Sequence, residues 1–422
     1  MKRPRALGGI SRILAGSAAG QGLVLLAYPV LARLYDPTDF GVLVVFTSVV
    51  AMVGVLSTLS LEAAVLIPAD DREAATVAWA SLVSVAVTAV VTALVGLAFG
   101  PAIAAFLGVP VLAELWWLVA LTVLALGVYL VMSEWMVRVR RYGALATRNL
   151  LQGVGQVTAQ IGLGVAGVRP AGLLVGLGVG RLLGTGGSIS RGGLLRQPRP
   201  RPAELVAAVR RYRRFPLVAS WSKLLNTAGL QVPLLVVSAA YGEVGAGLLG
   251  LTVRVVGGPV AVIGQAVYQV FTGEASARVR GPGTGLAPFT RTAVLRLLAT
   301  GAVPAVLLIL LSPSVFGFVF GPEWTGSGQF AQILAIAYLA EFAVTPISQT
   351  LFILERQGVQ LIWDASRLVL TAGGVGLCWV LGAPIITAVA VLAAAHVVSY
   401  GTLYVLSMRA AKGSDRAAEA AP

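Results

Sequence analysis

Long apolar stretches recur along the whole of this 422-residue sequence. Hydrophobic residues make up 57% of the chain and charged residues only 11%, and most of the charges lie between the apolar stretches. A helix needs roughly 20 mostly apolar residues to cross a bilayer, and about twelve stretches reach that length. Because backbone groups in lipid must be paired within their own segment, each stretch has to be helical. The sequence therefore predicts an all-α polytopic membrane protein.

The predicted transmembrane helices follow one another with short connections. Their ranges are 11–33, 40–66, 74–99, 113–135, 148–167, 170–190, 215–239, 244–272, 291–320, 328–353, 359–381 and 383–408. The first follows a basic start, Met1 to Arg5, as in a signal peptide, but it continues into many further spans and we expect it to be retained. Cys378 is the single cysteine, so no disulfide can form within the chain.

Positive charge alternates between the predicted loops. Most of the 31 Lys and Arg residues fall on one side, in groups around Lys2, Arg72, Arg138 to Arg148, Arg191 to Arg214, Arg278 to Arg296, Arg356 and Arg409. Cytoplasmic loops retain such residues, so both termini are predicted to be cytoplasmic. This topology, with attraction to anionic membrane lipids, accounts for the net charge of +14 without a nucleic-acid partner.

The basic loop near the middle of the chain predicts two halves of six spans each. We expect an N-terminal bundle over 1–190, a cytoplasmic linker over 191–214, a C-terminal bundle over 215–408 and a cytoplasmic tail over 409–422. Within the linker, 203–214 can form an interfacial helix with Val206, Val209 and Tyr212 toward lipid. A tether on the membrane surface and a regulatory or partner-binding segment are both open interpretations.

The two halves carry a weak internal repeat. Residues Tyr35 to Gly41 and the span that follows can be laid over Tyr241 to Gly247 and its following span at one constant offset. Two halves with an even number of spans point the same way and are related by an axis along the membrane normal. That arrangement is typical of transporters with alternating access.

Several segments carry a resemblance to a known family. Residues 31–41, Leu-Ala-Arg-Leu-Tyr-Asp-Pro-Thr-Asp-Phe-Gly, lead into a span that ends in Leu-Glu-Ala-Ala-Val-Leu-Ile-Pro at 61–68. In the second half, the residues that follow the family's order are Tyr212 to Pro216, Asn226, Pro233, Gly247, Arg254, Pro259, Gly264 and Gln269 to Phe271. Over nearly its whole length the sequence resembles polysaccharide-export flippases of the bacterial O-antigen and exopolysaccharide type.

The resemblance implies a fold and an activity. The fold is that of the multidrug, oligosaccharidyl-lipid and polysaccharide (MOP) exporter superfamily, in which two six-helix bundles surround a central cavity. The implied activity is flipping of an undecaprenyl-diphosphate-linked oligosaccharide to the periplasmic leaflet, with the polysaccharide polymerase and export machinery as partners. Peptidoglycan-precursor (lipid II) flippases are related but usually have more helices, which argues against that alternative.

Four basic residues fall within predicted spans and are candidates for contacts to a diphosphate: Arg181, Lys223, Arg254 and Arg367. A diphosphate that loses its hydration needs cations in a poorly hydrated place. Arg254 lies about ten residues into its span, or ~15 Å deep at the helical rise, near the membrane midplane. Each cation could instead reach toward a headgroup or pair with a carboxylate.

Acidic and amide side chains within spans are candidates for charge balance and for sugar contacts. Glu341, at mid-span, could couple transport to an ion, and Asp364 lies three residues before Arg367, at ion-pairing distance. Glu62 and Glu134 are predicted to be solvated or paired near the cytoplasmic ends of their spans. Polar cavity candidates are Asn226 and the four-residue repeat Gln152, Gln156 and Gln160, which could equally hydrogen-bond a neighbouring helix.

Other patterns indicate packing rather than chemistry. Gly172, Gly176, Gly180 and Gly184 repeat every four residues and predict a groove for a neighbouring helix. His396, the single histidine, has no other metal ligand near it in sequence, so we expect a buried, hydrogen-bonded residue. The glycines of 162–167 match a dinucleotide-binding pattern, but they lie inside a span rather than between a strand and a helix.

The sequence leaves three classes of function. A lipid-linked oligosaccharide flippase fits the basic residues within spans. A small-molecule exporter of the multidrug branch would favour an acidic cavity, and a membrane polymerase or ligase would need a sizeable periplasmic loop. We expect neither an enzyme with catalytic residues nor a cofactor or metal site, since the sequence has no phosphate-binding loop and no cluster of metal ligands.

Overall fold

The structure is a computed structural model that describes residues 4–280 and 285–419. Lys2 and Arg3 lie outside the described residues, as do the side chains of Arg5, Arg12 and Arg191. The described residues are almost entirely helical and contain no strand, which confirms the predicted all-α class. Contacts divide the chain into two units, Met1–Gly247 and Leu248–Pro422. This division lies beyond the predicted linker, so the assignment of two six-helix bundles stays a prediction.

Among the described residues, the first unit contains eight α-helices and the start of a ninth, and it includes the basic segment. Its helices are α1 (Pro4–Leu34), α2 (Pro37–Ser57), α3 (Leu61–Ala64), α4 (Asp71–Phe106), α5 (Trp116–Arg138), α6 (Tyr142–Val165), α7 (Ala171–Gly192), α8 (Pro202–Arg211) and the start of α9 (Ser220–Thr252). Short helical turns of 110–113, 194–196 and 215–219 connect them, and the last is a π-helix.

The second unit contains the end of α9 and the remaining helices. They are α10 (Gly258–Arg280), α11 (Leu286–Phe320), α12 (Thr325–Val344), α13 (Gln349–Ile353), α14 (Gln357–Val380) and α15 (Ile385–Glu419). A π-helix, Val253–Gly257, joins α9 to α10. Helices α11, α12, α14 and α15 pack together, and Cys378 on α14 is buried and unbonded to another cysteine.

The helices include candidates for membrane spans. Among the described residues, eight helical stretches are long and apolar enough to cross a membrane, and two shorter apolar helices lie at Ala19–Leu34 and Ala171–Gly187. One of the eight, Phe215–Arg280, has 66 residues, which at the helical rise is roughly 100 Å and far too long for one crossing. It breaks at Gly242, whose φ of 74° suits only glycine. Helix α6 covers most of the fifth predicted range but is not among these candidates, so the number of twelve spans stays a prediction.

Helix α6 packs closely against both of its neighbours. A Cβ atom on Gly153 would lie 2.6 Å from the carbonyl oxygen of Gly20 on α1. On the other side, a Cβ on Gly180 of α7 would lie 2.7 Å from the carbonyl oxygen of Gln152. Gly176 and Gly184 also face α6. The predicted glycine groove is therefore confirmed, and its occupant is the glutamine face of α6.

Helix α8 forms in the linker as expected but docks on protein. Its residue Ala208 and the adjacent Tyr212 are buried against the start of α4. The Tyr212 hydroxyl donates a hydrogen bond of 2.9 Å to Glu73, and Arg211 pairs with the same carboxylate at 2.8 Å. The prediction that Tyr212 faces lipid is wrong, because its ring belongs to the core of the first unit. Val206 remains 52% exposed.

The end of the chain is part of the second unit's core. Residues 409–419, predicted as a tail, continue α15, and Ala410 and Ala411 are buried. The Asp415 carboxylate accepts hydrogen bonds from the backbone N–H groups of Gly285, Leu286 and Ala287 at 2.9–3.2 Å. These are free donors of the first turn of α11, so Asp415 caps a helix distant in sequence. Residues 420–422 lie outside the described residues.

The two segments of the weak internal repeat contact each other. Gly41 lies directly against the backbone of Glu243, and Gly247 lies directly against the backbone of Pro37. The alignment that lays Gly41 over Gly247 also lays Pro37 over Glu243, so each contact is the counterpart of the other. Reciprocal contacts of this kind are typical of two copies related by a two-fold axis. The contact supports the repeat.

Candidate functional site

Two arginines and a tyrosine form a stack inside the first unit. Helices α5, α6 and α7 contribute Tyr129, Arg148 and Arg181 respectively. The guanidinium carbon of Arg148 lies 3.8 Å from the centroid of the Tyr129 ring, and that of Arg181 lies 4.9 Å from it. The aromatic face attracts both cations, which helps to hold two like charges near each other in a poorly hydrated place.

Arg148 is fixed by hydrogen bonds on every side of its guanidinium. It donates to the side-chain oxygen of Asn149, the carbonyl of Tyr129 and the hydroxyl of Ser133. Its side chain is buried within α6, so its assignment to a cytoplasmic loop is wrong. The sequence did carry a signal for it, because Arg148 continues the four-residue repeat of Gln152, Gln156 and Gln160 by one step.

Arg181 has fewer partners than Arg148. Its only hydrogen bond among the described residues is a long one of 3.5 Å to the amide oxygen of Gln152. The ion pairs of the described residues do not include it. Protein surrounds the side chain closely, yet part of its surface is accessible. Arg181 therefore has N–H donors left for an anion, and its role as a diphosphate contact stays a prediction.

Lys223 forms an ion pair beside this stack. Its ammonium lies 2.7 Å from Oε1 of Glu62, whose side chain is 10% exposed, whereas that of Lys223 is 47% exposed. The other carboxylate oxygen, Oε2 of Glu62, is buried and has no hydrogen-bond partner within the described part of the chain. Glu134 on α5 lies within electrostatic range of Glu62, Lys223 and Arg148. The pairing predicted for Glu62 is confirmed.

The amide candidates divide between packing and exposure. Gln160 donates to the carbonyl of Leu173 on α7 at 2.9 Å, and Gln156 is buried under Gly180. These two side chains hold helices together in the structure. Gln152 touches Arg181, and Asn226 is exposed on α9, on the same side as Lys223. A role for any of them in binding sugar stays a prediction.

A second polar cluster lies within the second unit. Arg367 pairs with Asp364 at 3.4 Å, as the three-residue spacing predicts, and both side chains are buried. Arg367 also lies over the Trp363 ring at 4.8 Å. Glu341 on α12 is hydrogen-bonded to Tyr400 on α15, and Arg367 is its neighbouring cation. The structure thus joins three of the sequence candidates, Glu341, Asp364 and Arg367, in one cluster.

Arg254 and His396 occupy different surroundings in this unit. Arg254 lies in the π-helix before α10, a feature that is often found at functional sites. The Nδ1 atom of His396 lies 2.9 Å from the carbonyl oxygen of Leu392, which agrees with a hydrogen-bonded histidine. No group of three potential metal ligands was found among the residues that the structure describes.

Comparison with known sequences identifies one family. Residues 30–329 match the family described as polysaccharide biosynthesis protein, which is well over half of the chain. No curated protein matches the sequence.

Several solved structures have similar folds. An inward-facing multidrug resistance MATE family transporter of the MOP superfamily is 16% identical over 96% of each chain, with a TM-score of 0.64. The lipid II flippase MurJ, in an inward closed conformation, is 11% identical over 98% of this chain and 90% of its own, with a TM-score of 0.73. An outward-facing MATE transporter is 14% identical over 98% and 96%, with a TM-score of 0.56. These similarities confirm the expected MOP-type fold.

Proposed function

We propose that this chain, which belongs to the family of polysaccharide biosynthesis proteins, is a flippase for a lipid-linked oligosaccharide. Its substrate would be an oligosaccharide on undecaprenyl diphosphate, moved from the cytoplasmic to the periplasmic leaflet. The activity is transport rather than catalysis, since a MOP-type fold is shared with a drug exporter and with a lipid flippase. The polysaccharide polymerase and export machinery are its proposed partners.

The observation that carries this proposal is the state of Arg181. A buried cation is costly unless it is paired or serves a ligand, and Arg181 has no carboxylate partner among the described ion pairs. An incoming diphosphate supplies the missing negative charge. A multidrug exporter for cationic drugs would instead place unpaired carboxylates at such a position.

The orientation follows from the basic residues. The exposed arginines around α8, including Arg210, Arg213 and Arg214, would face the cytoplasm and its anionic lipids. Under the same topology both termini are cytoplasmic, and the membrane is the bacterial inner membrane.

Replacement of Arg181 tests the proposal. We expect Arg181→Ala to lower the rate of oligosaccharide appearance in the periplasmic leaflet at least tenfold and Arg181→Lys to restore part of it, because the charge returns without the planar donors. Membrane abundance must match that of the parent. Arg72→Ala, which removes an arginine with a side chain 71% exposed, is the matched control and should transport normally. Full activity of Arg181→Ala would remove the diphosphate site from this position.

Lipid II flipping is the second candidate, because the fold match to a lipid II flippase has a TM-score of 0.73. Lipid II also carries a diphosphate, so Arg181 does not separate the two substrates. A direct comparison in cells separates the two substrates. In cells whose lipid II flippase is intact, this chain should transport the polysaccharide precursor. In cells depleted of that flippase, this chain should not replace it. Rescue of depleted cells would favour the second candidate.

In the second unit we propose Arg254 as a further diphosphate contact and Glu341 as the residue that tunes or couples transport. Arg367 and Asp364 would hold Glu341 in place through their ion pair. Glu341→Gln at normal membrane level should transport more slowly than the parent. An unchanged rate would remove the coupling role. Arg254→Ala and Arg254→Lys should follow the same pattern as the Arg181 variants.

A further inference from the structure

The ion pair between Lys223 and Glu62 is unequal. Glu62 is nearly enclosed, with its Oε1 atom 2.7 Å from the Lys223 ammonium and its Oε2 atom buried without a hydrogen-bond partner among the described residues. The Lys223 side chain is 47% exposed. The exposed Lys223 side chain can therefore turn toward another anion, whereas the enclosed Glu62 carboxylate cannot follow it.

The loss of Lys223 would leave Glu62 in an unfavourable state. An enclosed carboxylate without its cation is penalised by several kcal/mol, and such a group takes up a proton instead of remaining charged. Removal of the cation therefore changes the protonation of Glu62 as well as its contacts. The proton comes from the protonated buffer in solution, which becomes its conjugate base, and the carboxylate becomes a neutral carboxylic acid whose hydroxyl can donate a hydrogen bond.

We infer that Lys223 exchanges Glu62 for the diphosphate of the substrate and that Glu62 takes up one proton as Lys223 leaves. This inference rests on the proposed function, because it assigns a role to the diphosphate. Substrate binding and proton binding then favour each other, as linkage requires. The Lys223–Glu62 pair would be the element by which a proton enters the transport cycle together with the substrate.

The charged groups around Glu62 leave it as the group that responds. Glu134 on α5 has both Lys223 and Arg148 as neighbouring cations, and Arg148 remains held by its hydrogen bonds to Tyr129, Ser133 and Asn149 when Lys223 moves. On α4, Asp71 and Glu73 are paired with Arg138 and Arg211. The π-helix Phe215–Ala219, which also packs against α3, contains no titratable side chain. Arg181, on α7, is a charged neighbour of Arg148 on α6.

Calorimetry of ligand binding tests the inference. The probe is farnesyl diphospho-N-acetylglucosamine, a diphosphate diester that does not itself change protonation near neutral pH. It is titrated into the full-length protein at pH 7 in HEPES, PIPES and Tris, whose ionisation enthalpies differ. The slope of the observed enthalpy against the buffer enthalpy gives the number of protons taken up. We expect about one proton per bound ligand.

Variants assign the proton to its site. Glu62→Gln should bind the probe with a proton uptake close to zero, whereas Glu274→Gln, which removes an exposed carboxylate that pairs within α10, should behave as the parent does. If Glu62→Gln does not fold, the measurement on the parent protein still decides whether binding takes up a proton.

Three results would overturn the inference. Binding of the probe without proton uptake by the parent would contradict it and leave the proposed flippase function standing. Proton uptake that persists in Glu62→Gln but disappears in Glu134→Gln would show that Glu134, and not Glu62, takes up the proton. Failure of the parent to bind the probe at all would remove the proposed function and, with it, this inference.

Discussion

Gly180 and Gly186 lie on the same helix, α7, but have different surroundings. A Cβ at Gly180 would meet the backbone oxygen of Gln152 at 2.7 Å, and a Cβ at Gly186 would meet nothing within 4 Å. Gly180 therefore lies at a direct contact with the backbone of α6, whereas Gly186 does not. Because α6 carries Arg148 and α7 carries Arg181, this packing also sets the distance between the two arginines.

We predict that Gly180→Ala destabilises the protein by about 1–3 kcal/mol, since the added methyl group forces two helices apart. Gly186→Ala should leave stability unchanged or raise it by up to about 1 kcal/mol, because alanine is the better helix former. Thermal unfolding followed by tryptophan fluorescence in detergent measures both. Equal shifts for the two variants would contradict the assigned packing.

The hydroxyl of Tyr212 predicts a pH effect. Burial raises the pKa of Tyr212, and its hydrogen bond to the Glu73 carboxylate raises it further. The folded-state pKa is thus above the value of about 10 for an unfolded chain, so this side chain stabilises the fold below that pH and loses its effect as pH rises through the folded value. In an alkaline titration, the parent and Tyr212→Phe differ by the tyrosinate absorbance of Tyr212. We expect this difference to appear at a pH above the value for an unfolded chain. Its early appearance would contradict the hydrogen bond.

Single residues differ in how far the sequence alone reveals them. The pair of Asp364 and Arg367 follows from helical spacing, and the burial of Arg148 could have been inferred from its place in the glutamine repeat. The pair of Glu62 and Lys223 could not, because the two residues are far apart in the chain and meet only through tertiary packing.

Helices α11 and α15 are joined by a cap that comes from the end of the chain. The Asp415 carboxylate accepts three backbone N–H groups at the start of α11 and also places negative charge at the positive end of that helix. Residues 409–419 are thus part of the fold of the second unit rather than an appendage.

We predict that Asp415→Ala destabilises the first turn of α11 by about 1–2 kcal/mol, as the loss of a capping carboxylate does. Hydrogen exchange at residues 286–289 should quicken. Ser414→Ala, at the neighbouring position, serves as the control and should leave the exchange of these amides unchanged. The same exchange rate in Asp415→Ala and the parent would show that the cap contributes little.

At the scale of elements, the apolar stretches predict nearly every helix because length and hydrophobicity decide whether a segment crosses a bilayer. Their ends are less predictable. Residues 409–419 are polar enough to suggest a tail, and α8 is amphipathic enough to suggest a helix lying on lipid. Both segments instead bury apolar residues such as Ala208 and Ala410 against protein, and the helices that they pack on lie elsewhere in the sequence.

At the scale of the whole molecule, the family match confirms the resemblance that short, tolerant motifs carried, and the fold matches confirm the architecture. The identity of the sugar and the energy source depend on a few side chains on a fold that serves several transporters. For that reason the sequence predicts the fold more completely than it predicts which residues bind the substrate.

The reciprocal contact of Gly41 and Gly247 predicts coupled substitutions. Gly41→Ala and Gly247→Ala should each destabilise the first unit, because each methyl group would overlap backbone. We expect the double variant to lose less than the sum of the two single losses, since either change already parts the shared surface. Thermal unfolding measures the cycle, and Gly22→Ala, with nothing within 4 Å, is the control. Strict additivity would mean that the contacts act independently.

The symmetry of these two contacts has a consequence for movement. Each is the image of the other, so any displacement that preserves the two-fold relation separates both in the same step, and neither can act as a hinge for the other. A half-released state is absent from such a path. The two contacts would then form or break together, as one two-state element. Glycine at positions 41 and 247 allows the backbones to approach closely enough to form them.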